Sequence, residues 1–174
     1  LCTLMCVVNI VGNVCCILSY IRDPKLRTIS NYYILNLAVT DVVTGAFTMP
    51  VYMVFTVLQW HWPFGRVFCK VFNTIDYLLC AESAVTIILI SYDRYLLVSL
   101  GAHYQTKESQ TKATITIILS WIAAFAVYGP AIIGFDYWRG FSTIADYNCT
   151  VEFSTDFVYV LVTSFIEFGV SLIL

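Results

Sequence analysis

The sequence predicts an all-α fold, a bundle of transmembrane helices. Hydrophobic residues make up 60% of the 174 residues and charged residues only 11%, and the mean hydropathy is +0.82. Soluble domains carry about 25% charged residues, so most of this surface must face lipid. A helix needs about 20 apolar residues to span the hydrocarbon core. Five runs approach or exceed that length, at residues 1–21, 31–58, 67–98, 113–135 and 157–174.

The prolines predict where these helices end and bend. Asp23-Pro24 ends the first helix, and the short basic loop before Asn31 allows only an antiparallel second helix. Pro50 and Pro130 fall inside the second and fourth runs, where each removes one backbone hydrogen bond. A membrane helix tolerates the kink when neighbouring groups satisfy the freed carbonyl. We therefore expect bends near both prolines.

The distribution of charge predicts the orientation of the chain. Two basic loops, around Arg22–Arg27 and Arg94–Lys112, lie on the same side of a five-helix arrangement. By the positive-inside rule that side is cytoplasmic, so the first helix enters from the extracellular side. We expect a multi-pass plasma-membrane protein whose partner is the lipid bilayer. A nucleic-acid partner is not expected, because the sequence has no basic patch.

The outer side holds two cysteines, Cys69 and Cys149, in an oxidising environment. We expect them to form a disulfide between the top of the third helix and the long loop after the fourth. Asn148 begins an Asn-Cys-Thr sequon and is a candidate glycosylation site that the neighbouring bonded cysteine would hinder. The tryptophans expected to act as interfacial anchors on this side are Trp60, Trp62 and Trp138.

Neither end of the chain has the pattern of a natural terminus. Leu1 already lies in an apolar run without an initiator methionine or a signal-peptide charge pattern, and Leu174 ends another. We interpret residues 1–174 as one partial membrane domain without repeats or linkers.

Four acids lie at membrane depth, where an ionisable side chain is costly and therefore suggests function. They are Asp41, Asp76, Glu82 and Glu167. Glu82 comes six residues after Asp76, which rotates it well away from the face that carries Asp76. The simplest interpretation of Glu82 is a protonated acid that is hydrogen-bonded to a neighbouring helix.

Asp76 is the strongest candidate for binding a ligand. Its distance from Asp93 is 17 residues, about 25 Å of helix, which places Asp76 near the outer mouth. A carboxylate rimmed by Tyr52, Tyr77 and Tyr128 suits an organic ammonium. An internal ion pair is the alternative, but no span offers Asp76 a lysine or arginine partner. Glu167, one turn after Thr163, adds a second acidic pole for a ligand that is basic at both ends.

Asp41 and Ser83 are expected at similar depth on the second and third helices. Their carboxylate and hydroxyl, with Asn13, are candidates to hold a sodium ion; a water-filled polar pocket is the alternative. We expect no other cofactor. No catalytic motif occurs, and His61 and His103 lie in loops on opposite sides, so neither an enzyme nor another metal site is expected.

A series of motifs covers the whole chain and resembles the rhodopsin-like G-protein-coupled receptors. The motifs are Gly12-Asn13, Leu37-Ala38-Val39-Thr40-Asp41, Trp62-Pro63-Phe64-Gly65, Cys69, Asp93-Arg94-Tyr95, Trp121 and Pro130. The resemblance implies that the chain is the first five helices of a seven-helix receptor. Without the sixth and seventh helices, this fragment alone should not signal.

Within the family, Asp76 matches the amine-anchoring aspartate of aminergic receptors, seven residues after Cys69. The segments 76–80, 90–95, 128–132 and 165–168 look most like the third and fourth histamine receptor subtypes. Glu167 favours histamine, because catecholamine receptors carry serines there and muscarinic receptors lack an acid. The expected ligand-binding residues are Asp76, Tyr77, Cys80, Tyr52, Tyr128, Phe153, Thr163 and Glu167.

The resemblance also implies a partner, a heterotrimeric G protein of the inhibitory type. The expected coupling residues are Asp93, Arg94, Tyr95 and Tyr104, with Arg94 held by Asp93 until activation. The sequence departs from the family pattern at Ser171, Glu82 and Gly101-Ala102.

Three alternatives to a histamine receptor remain open. The nearest is a muscarinic acetylcholine or other aminergic receptor. The second is a truncated, non-signalling membrane protein. A transporter is the third, but it should show paired repeats or broken helices, and the sequence shows neither.

Overall fold

The computed structural model describes residues 2–101, 104, 109–142, 144–145 and 147–165. These residues form a bundle of five helices without any strand in the described part. Four of the helices, α1 to α4, are long and apolar enough to cross a membrane. The helices are α1 (Cys2–Arg22), α2 (Ile29–Val57), α3 (Gly65–Leu100), α4 (Gln110–Arg139) and α5 (Phe157–Ser164).

Helix α2 is irregular where the sequence predicts a bend. A π-helical segment, Thr44–Thr48, separates the α-helical parts Ile29–Val43 and Met49–Val57. The Met49 amide donates to the Thr44 carbonyl, the long bond of a π turn, directly before Pro50. Because Pro50 has no N–H to donate, the wider turn changes the bonding pattern beside it. The irregularity of α2 is therefore a π-helical turn that directly precedes the Met49-Pro50 pair.

Helix α1 approaches α2 closely at this π-helical segment. The Cys6 thiol donates to the Gly45 carbonyl over 2.8 Å. A Cβ atom added to Gly45 would lie 2.8 Å from Asn9 Nδ2 and 2.9 Å from Ile10 Cγ1, closer than van der Waals contact allows. Glycine is needed at residue 45 because α1 occupies the space that a side chain would take.

Helix α3 packs between α2 and α4 and is the centre of the bundle. It begins two residues before the expected start and ends at Gly101, whose φ is +54°. Helix α4 starts with Ser109, whose side chain accepts from the Lys112 amide, and continues four residues beyond its expected end. It stops at Gly140, which takes the left-handed conformation that commonly ends a helix.

The first interhelical loop on the disulfide side folds into an aromatic core, here called the first-loop cluster. Trp62 is at its centre, only 5% exposed, stacked on Phe68 and donating from Nε1 to the Gly65 carbonyl over 2.9 Å. The expectation of an interfacial anchor was wrong for Trp62, because the loop turns this ring inward; Trp60 and Trp138 are exposed. The buried members are Phe55, Trp62, Cys69, Phe72 and Cys149.

The segment between α4 and α5, here called the second loop, lies over the same end of the bundle. A short 3-10 helix, Glu152–Thr155, leads to Asp156, whose side chain accepts from the amides of Val158 and Tyr159. That cap begins α5 at Phe157, the residue where the fifth run was expected to start. The later part of the run, residues 166–174, lies outside the described residues.

Candidate functional site

Asp76 lies on α3 with its carboxylate facing α2. The Tyr52 hydroxyl donates to Asp76 Oδ2 over 2.8 Å. Asp76 has no ion pair with any residue that the structure describes. Tyr52 is held in place by a T-shaped contact with Phe72, whose ring centroid is 5.2 Å away. Among the described residues, the Asp76 carboxylate therefore has a neutral donor, Tyr52, and no cation beside it.

Aromatic rings pack together between α3, α4, α5 and the second loop, in a cluster here called the second-loop cluster. Tyr77 packs on Tyr128 at 5.3 Å and on Phe153 at 5.5 Å between ring centroids. Phe153 also packs on Tyr159, at 4.9 Å. The second loop, α3, α4 and α5 thus each contribute one ring.

Sequence reasoning named three of these rings and missed Tyr159. The signal was available, because Tyr159 precedes Thr163 by four residues and so shares a helix face with it. The Tyr159 hydroxyl donates to the Val127 carbonyl in α4, close to Pro130. Thr163, an expected ligand-binding residue, is buried and donates to the Tyr159 carbonyl over 2.9 Å.

A charged network holds the second loop against α3 and α4. Arg66 Nη2 lies 2.9 Å from Glu152 Oε1 and 3.3 Å from Asp136 Oδ2. Lys70 Nζ lies 2.7 Å from Asp136 Oδ1 and also donates to the Ile133 carbonyl. Glu152 is buried and accepts a second bond from Ser142. Sequence reasoning missed this network, because its members are far apart in the chain and carry no motif.

The disulfide expected between Cys69 and Cys149 is present in the structure. Both cysteines are buried, and the Asn73 amide lies 3.3 Å from each sulfur. The bond places Phe153, four residues after Cys149, over the face of α3 that carries Tyr77. Asn148, directly before the bonded cysteine, is exposed, and its glycosylation stays a prediction.

Polar residues from α1 and α3 lie around Asp41. Asn13 interacts with the Asp41 carboxylate, and Asn9 donates to the Asp41 carbonyl over 2.8 Å. Ser83 donates to Thr40 Oγ1 over 3.2 Å, and the expectation that Ser83 and Asp41 hold a sodium ion together stays a prediction. Successive helix residues point about 100° apart, and the structure turns Thr40 toward α3 and Asp41 toward α1. Among the described residues, no group of three His, Cys, Asp or Glu side chains could hold a metal.

At the opposite end of α3, Asp93 is buried and held by two hydroxyl groups. Ser30 donates to Asp93 Oδ2 over 2.6 Å and Tyr104 to Oδ1 over 2.9 Å. Arg94 and Tyr95 are exposed, and Arg94 has no ion pair within the part of the chain that the structure describes. The expectation that Asp93 holds Arg94 was therefore wrong, because both carboxylate oxygens already accept from neighbouring hydroxyls.

Comparison with known protein families identifies the family of the chain. Residues 12–174 match the family described as 7 transmembrane receptor (rhodopsin family). The chain belongs to the rhodopsin family of seven-transmembrane receptors. This membership supports a receptor and not an enzyme or a transporter.

Several receptors are similar to this rhodopsin-family chain. The histamine H4 receptor of Homo sapiens is 37% identical over 94% of the chain, and that of Rattus norvegicus 36% identical over 91%. The muscarinic acetylcholine receptor M1 of Homo sapiens is 31% identical over 86% of the chain. The chain spans about 40% of the length of the histamine relatives and 32% of the muscarinic one.

Glu82 is the departure from the rhodopsin-family pattern that the structure describes most fully. It is 0% exposed, and Oε1 accepts from Asn36 and Ser120, each over 2.8 Å. Trp121 Nε1 donates to Oδ1 of the same Asn36 side chain over 3.1 Å. Glu82 therefore joins α2, α3 and α4 through hydrogen bonds to both neighbouring helices, which include the bond expected from the sequence. Its protonation stays a prediction, and Oε2 is buried without a hydrogen-bond partner among the described residues.

Two residues that were singled out in the comparison with the rhodopsin-like family lie outside the described residues. They are Glu167, the expected second acidic pole, and Ser171. Gly101 is described and ends α3, but Ala102 is not. Cys80, expected to line the ligand site, is exposed on α3.

Proposed function

We propose that the full-length protein containing this chain is a receptor for a small amine, with histamine as the ligand. The observation that carries the proposal is Asp76, a carboxylate at membrane depth whose described contacts include a tyrosine hydroxyl and no cation. Burying a charge without a partner is costly, and a ligand ammonium removes that cost. The disulfide end, where Asp76 lies, is then the extracellular end, and α1 enters from outside.

The tyrosine rings next to Asp76 support a cationic ligand as well. Tyr52 contacts the carboxylate and is 39% exposed, and Tyr77 is the next residue on α3. Tyr128 and Phe153 are buried in the second-loop cluster behind Tyr77. Ring faces attract ammonium groups by roughly 0.5–2 kcal/mol each, depending on how much water is excluded. A carboxylate with adjacent rings fits an alkylammonium better than an acidic or neutral ligand.

Histamine is preferred within the amines because of Glu167. This acid stands four residues after Thr163 in the sequence, the spacing of one helix face, and Thr163 is buried. A ligand with a second basic group, such as an imidazole, would use both acids. The names of the H4 relatives support the same ligand, and the M1 relatives support acetylcholine as the second candidate.

The test compares two ligands on Glu167→Gln in the full-length protein. The substitution should weaken histamine by a factor of ten or more, since it removes one partner of a charge pair worth roughly 2–5 kcal/mol. It should leave acetylcholine-like ligands, whose far end is neutral, within about threefold of the parent. Unchanged histamine affinity would remove histamine from the proposal and leave an amine receptor anchored on Asp76.

Coupling to an inhibitory-type G protein is the second part of the proposal. The end of α3 that carries Arg94 and Tyr95 is exposed, while Asp93 is locked to Ser30 and Tyr104. Because Asp93 is hydrogen-bonded to Ser30 and Tyr104, the exposed guanidinium of Arg94 can contact a partner on the cytoplasmic side. A sodium ion beside Asp41 also stays part of the proposal, with Ser83 and Asn13 as the other expected ligands.

A further inference from the structure

An open cavity of about 810 Å³ lies on the outside of α3 and α4 at the disulfide end. Its lining includes no residue of the Asp76 site or of the second-loop cluster. Its lining is polar at Arg66, Lys70, Asp136 and Ser142. It is apolar at Phe141 in the second loop and, lower along α4, at Ile133 and Gly134. The lining therefore changes from charged to apolar along the axis of α4.

Arg66 has hydrogen-bond donors that the charged network does not use. All of its described contacts, to Glu152 and Asp136, come from Nη2. A guanidinium carries five N–H donors, two of them on Nη2. The donors on Nη1 and Nε thus contact no acceptor among the described residues, although the side chain is 39% exposed and lines the cavity. By contrast, Lys70 Nζ has three acceptors and is fully used.

Exposed aromatic residues indicate at which level of the membrane the cavity lies. Tyr137 is 87% exposed and lines the cavity, and Trp138 beside it is 66% exposed. Tyrosine and tryptophan concentrate at the level of the lipid headgroups. One turn earlier on α4, Ile133 is also exposed, and the exposed face continues with Phe125 and Ile122. An occupant therefore meets a guanidinium at headgroup depth and apolar side chains below it.

We propose that this cavity binds one phospholipid, with its phosphate on Arg66 and Tyr137 and an acyl chain along the exposed face of α4. A phosphate accepts in-plane donors from a guanidinium, which explains why the unused edge of Arg66 suits it. The network as a whole is neutral, with two cations and two acids, so it does not select a free anion by net charge. The apolar lower lining offers contacts to an acyl chain, which a lipid has and a free phosphate lacks.

The experiment counts bound phosphatidylcholine on the purified full-length protein by native mass spectrometry. The parent should retain one phosphatidylcholine through delipidation. Arg66→Gln and Tyr137→Ala should each weaken its retention by at least about tenfold, the value of a hydrogen bond to a charged group. Tyr137→Ala keeps the Arg66 network intact, so its effect does not depend on the folding of the second loop.

The matched control is Arg139→Gln, which removes one positive charge at the same end of α4. Arg139 pairs with Asp156 and lies over the Phe135 ring, away from the cavity lining. Lipid retention should stay at the parent level in this variant. An equal loss in Arg139→Gln, or full retention in both Arg66→Gln and Tyr137→Ala, would overturn the proposal. Release of the lipid by inorganic phosphate alone would also overturn it, because the site would then bind a free anion.

Discussion

Neutralising Glu152 should loosen the second loop while leaving the helices folded. Glu152→Gln keeps the size of the side chain and its bond with Ser142 but removes the charge that faces Arg66 at 2.9 Å. Breaking a fully buried pair costs about 3–5 kcal/mol, and an exposed pair contributes about 0.2–1 kcal/mol. The Glu152 side chain is 6% exposed and that of Arg66 is 39% exposed, so the pair lies between these limits.

The expected cost is about 1–2 kcal/mol, because Arg66 retains Asp136 as a second partner and water screens its exposed edge. That free energy corresponds to a factor of about 5–30 in the ratio of docked to undocked loop. Amide hydrogen exchange of residues 147–155 in the full-length protein measures this ratio directly. Protection in these residues should fall by that factor, and protection in the centre of α3 should not change.

Arg139→Gln is the matched control for this prediction. Its ion pair with Asp156 is 3.6 Å long, and about a third of each side chain is exposed. A pair of this kind contributes less than about 1 kcal/mol, so the loop should lose less than about fivefold in protection. If Arg139→Gln loosened the loop as much as Glu152→Gln, burial of the Arg66 pair would not be what holds it.

Three further predictions follow from other contacts. Cys149→Ser should abolish ligand binding at normal surface expression, because the disulfide positions the second loop; unchanged affinity in a binding assay would contradict this. Gly45→Ala should lower the melting temperature through overpacking worth about 1–3 kcal/mol, whereas Gly12→Ala, where a Cβ meets nothing within 4 Å, should not; equal melting temperatures would argue against the close approach of α1. Tyr104→Phe removes one of the two hydrogen bonds to Asp93 and should raise ligand-independent signalling, while Arg94→Ala should abolish signalling. Unchanged signalling of either variant in a G-protein activation assay would refute the account.

The helices were predictable from the sequence because lipid imposes a simple rule on it. Only long apolar runs can cross the bilayer, and prolines, glycines and polar caps mark their ends. The start of α5 at Phe157 follows from the capping acid Asp156, which is visible in the sequence. The length of α4 was underestimated, since charged and aromatic residues near Arg139 end the apolar run before they end the helix.

The candidate site was predictable in its residues but not in its contacts. Motif spacing identified Asp76, Tyr77 and Tyr128, and the structure places the last two in one aromatic cluster. Which neighbour a side chain meets depends on the rotation of each helix, which spacing along one helix does not determine. For this reason the sequence did not show that Ser83 donates to Thr40, the residue before Asp41.

The charged network was beyond sequence reasoning for a different physical reason. Arg66, in the first turn of α3, and Glu152, in the second loop, are separated by 86 residues, and the disulfide and the 3-10 helix bring them together. No periodicity connects a helix with a residue in a distant loop, and surface charges are common enough that a lone arginine carries little information. The three-dimensional arrangement was needed to show that Glu152 is buried.

The most direct test of the central claim is the affinity of the full-length protein for histamine with and without the Asp76 charge. Asp76→Asn should weaken binding by about thirtyfold to several thousandfold, since removing one partner of a buried charge pair costs roughly 2–5 kcal/mol. Tyr52→Phe, which removes only the hydroxyl that contacts Asp76, should change affinity by less than about tenfold. Parent-like affinity in Asp76→Asn at equal surface expression, or an equal loss in Tyr52→Phe, would contradict the claim that this carboxylate anchors the amine.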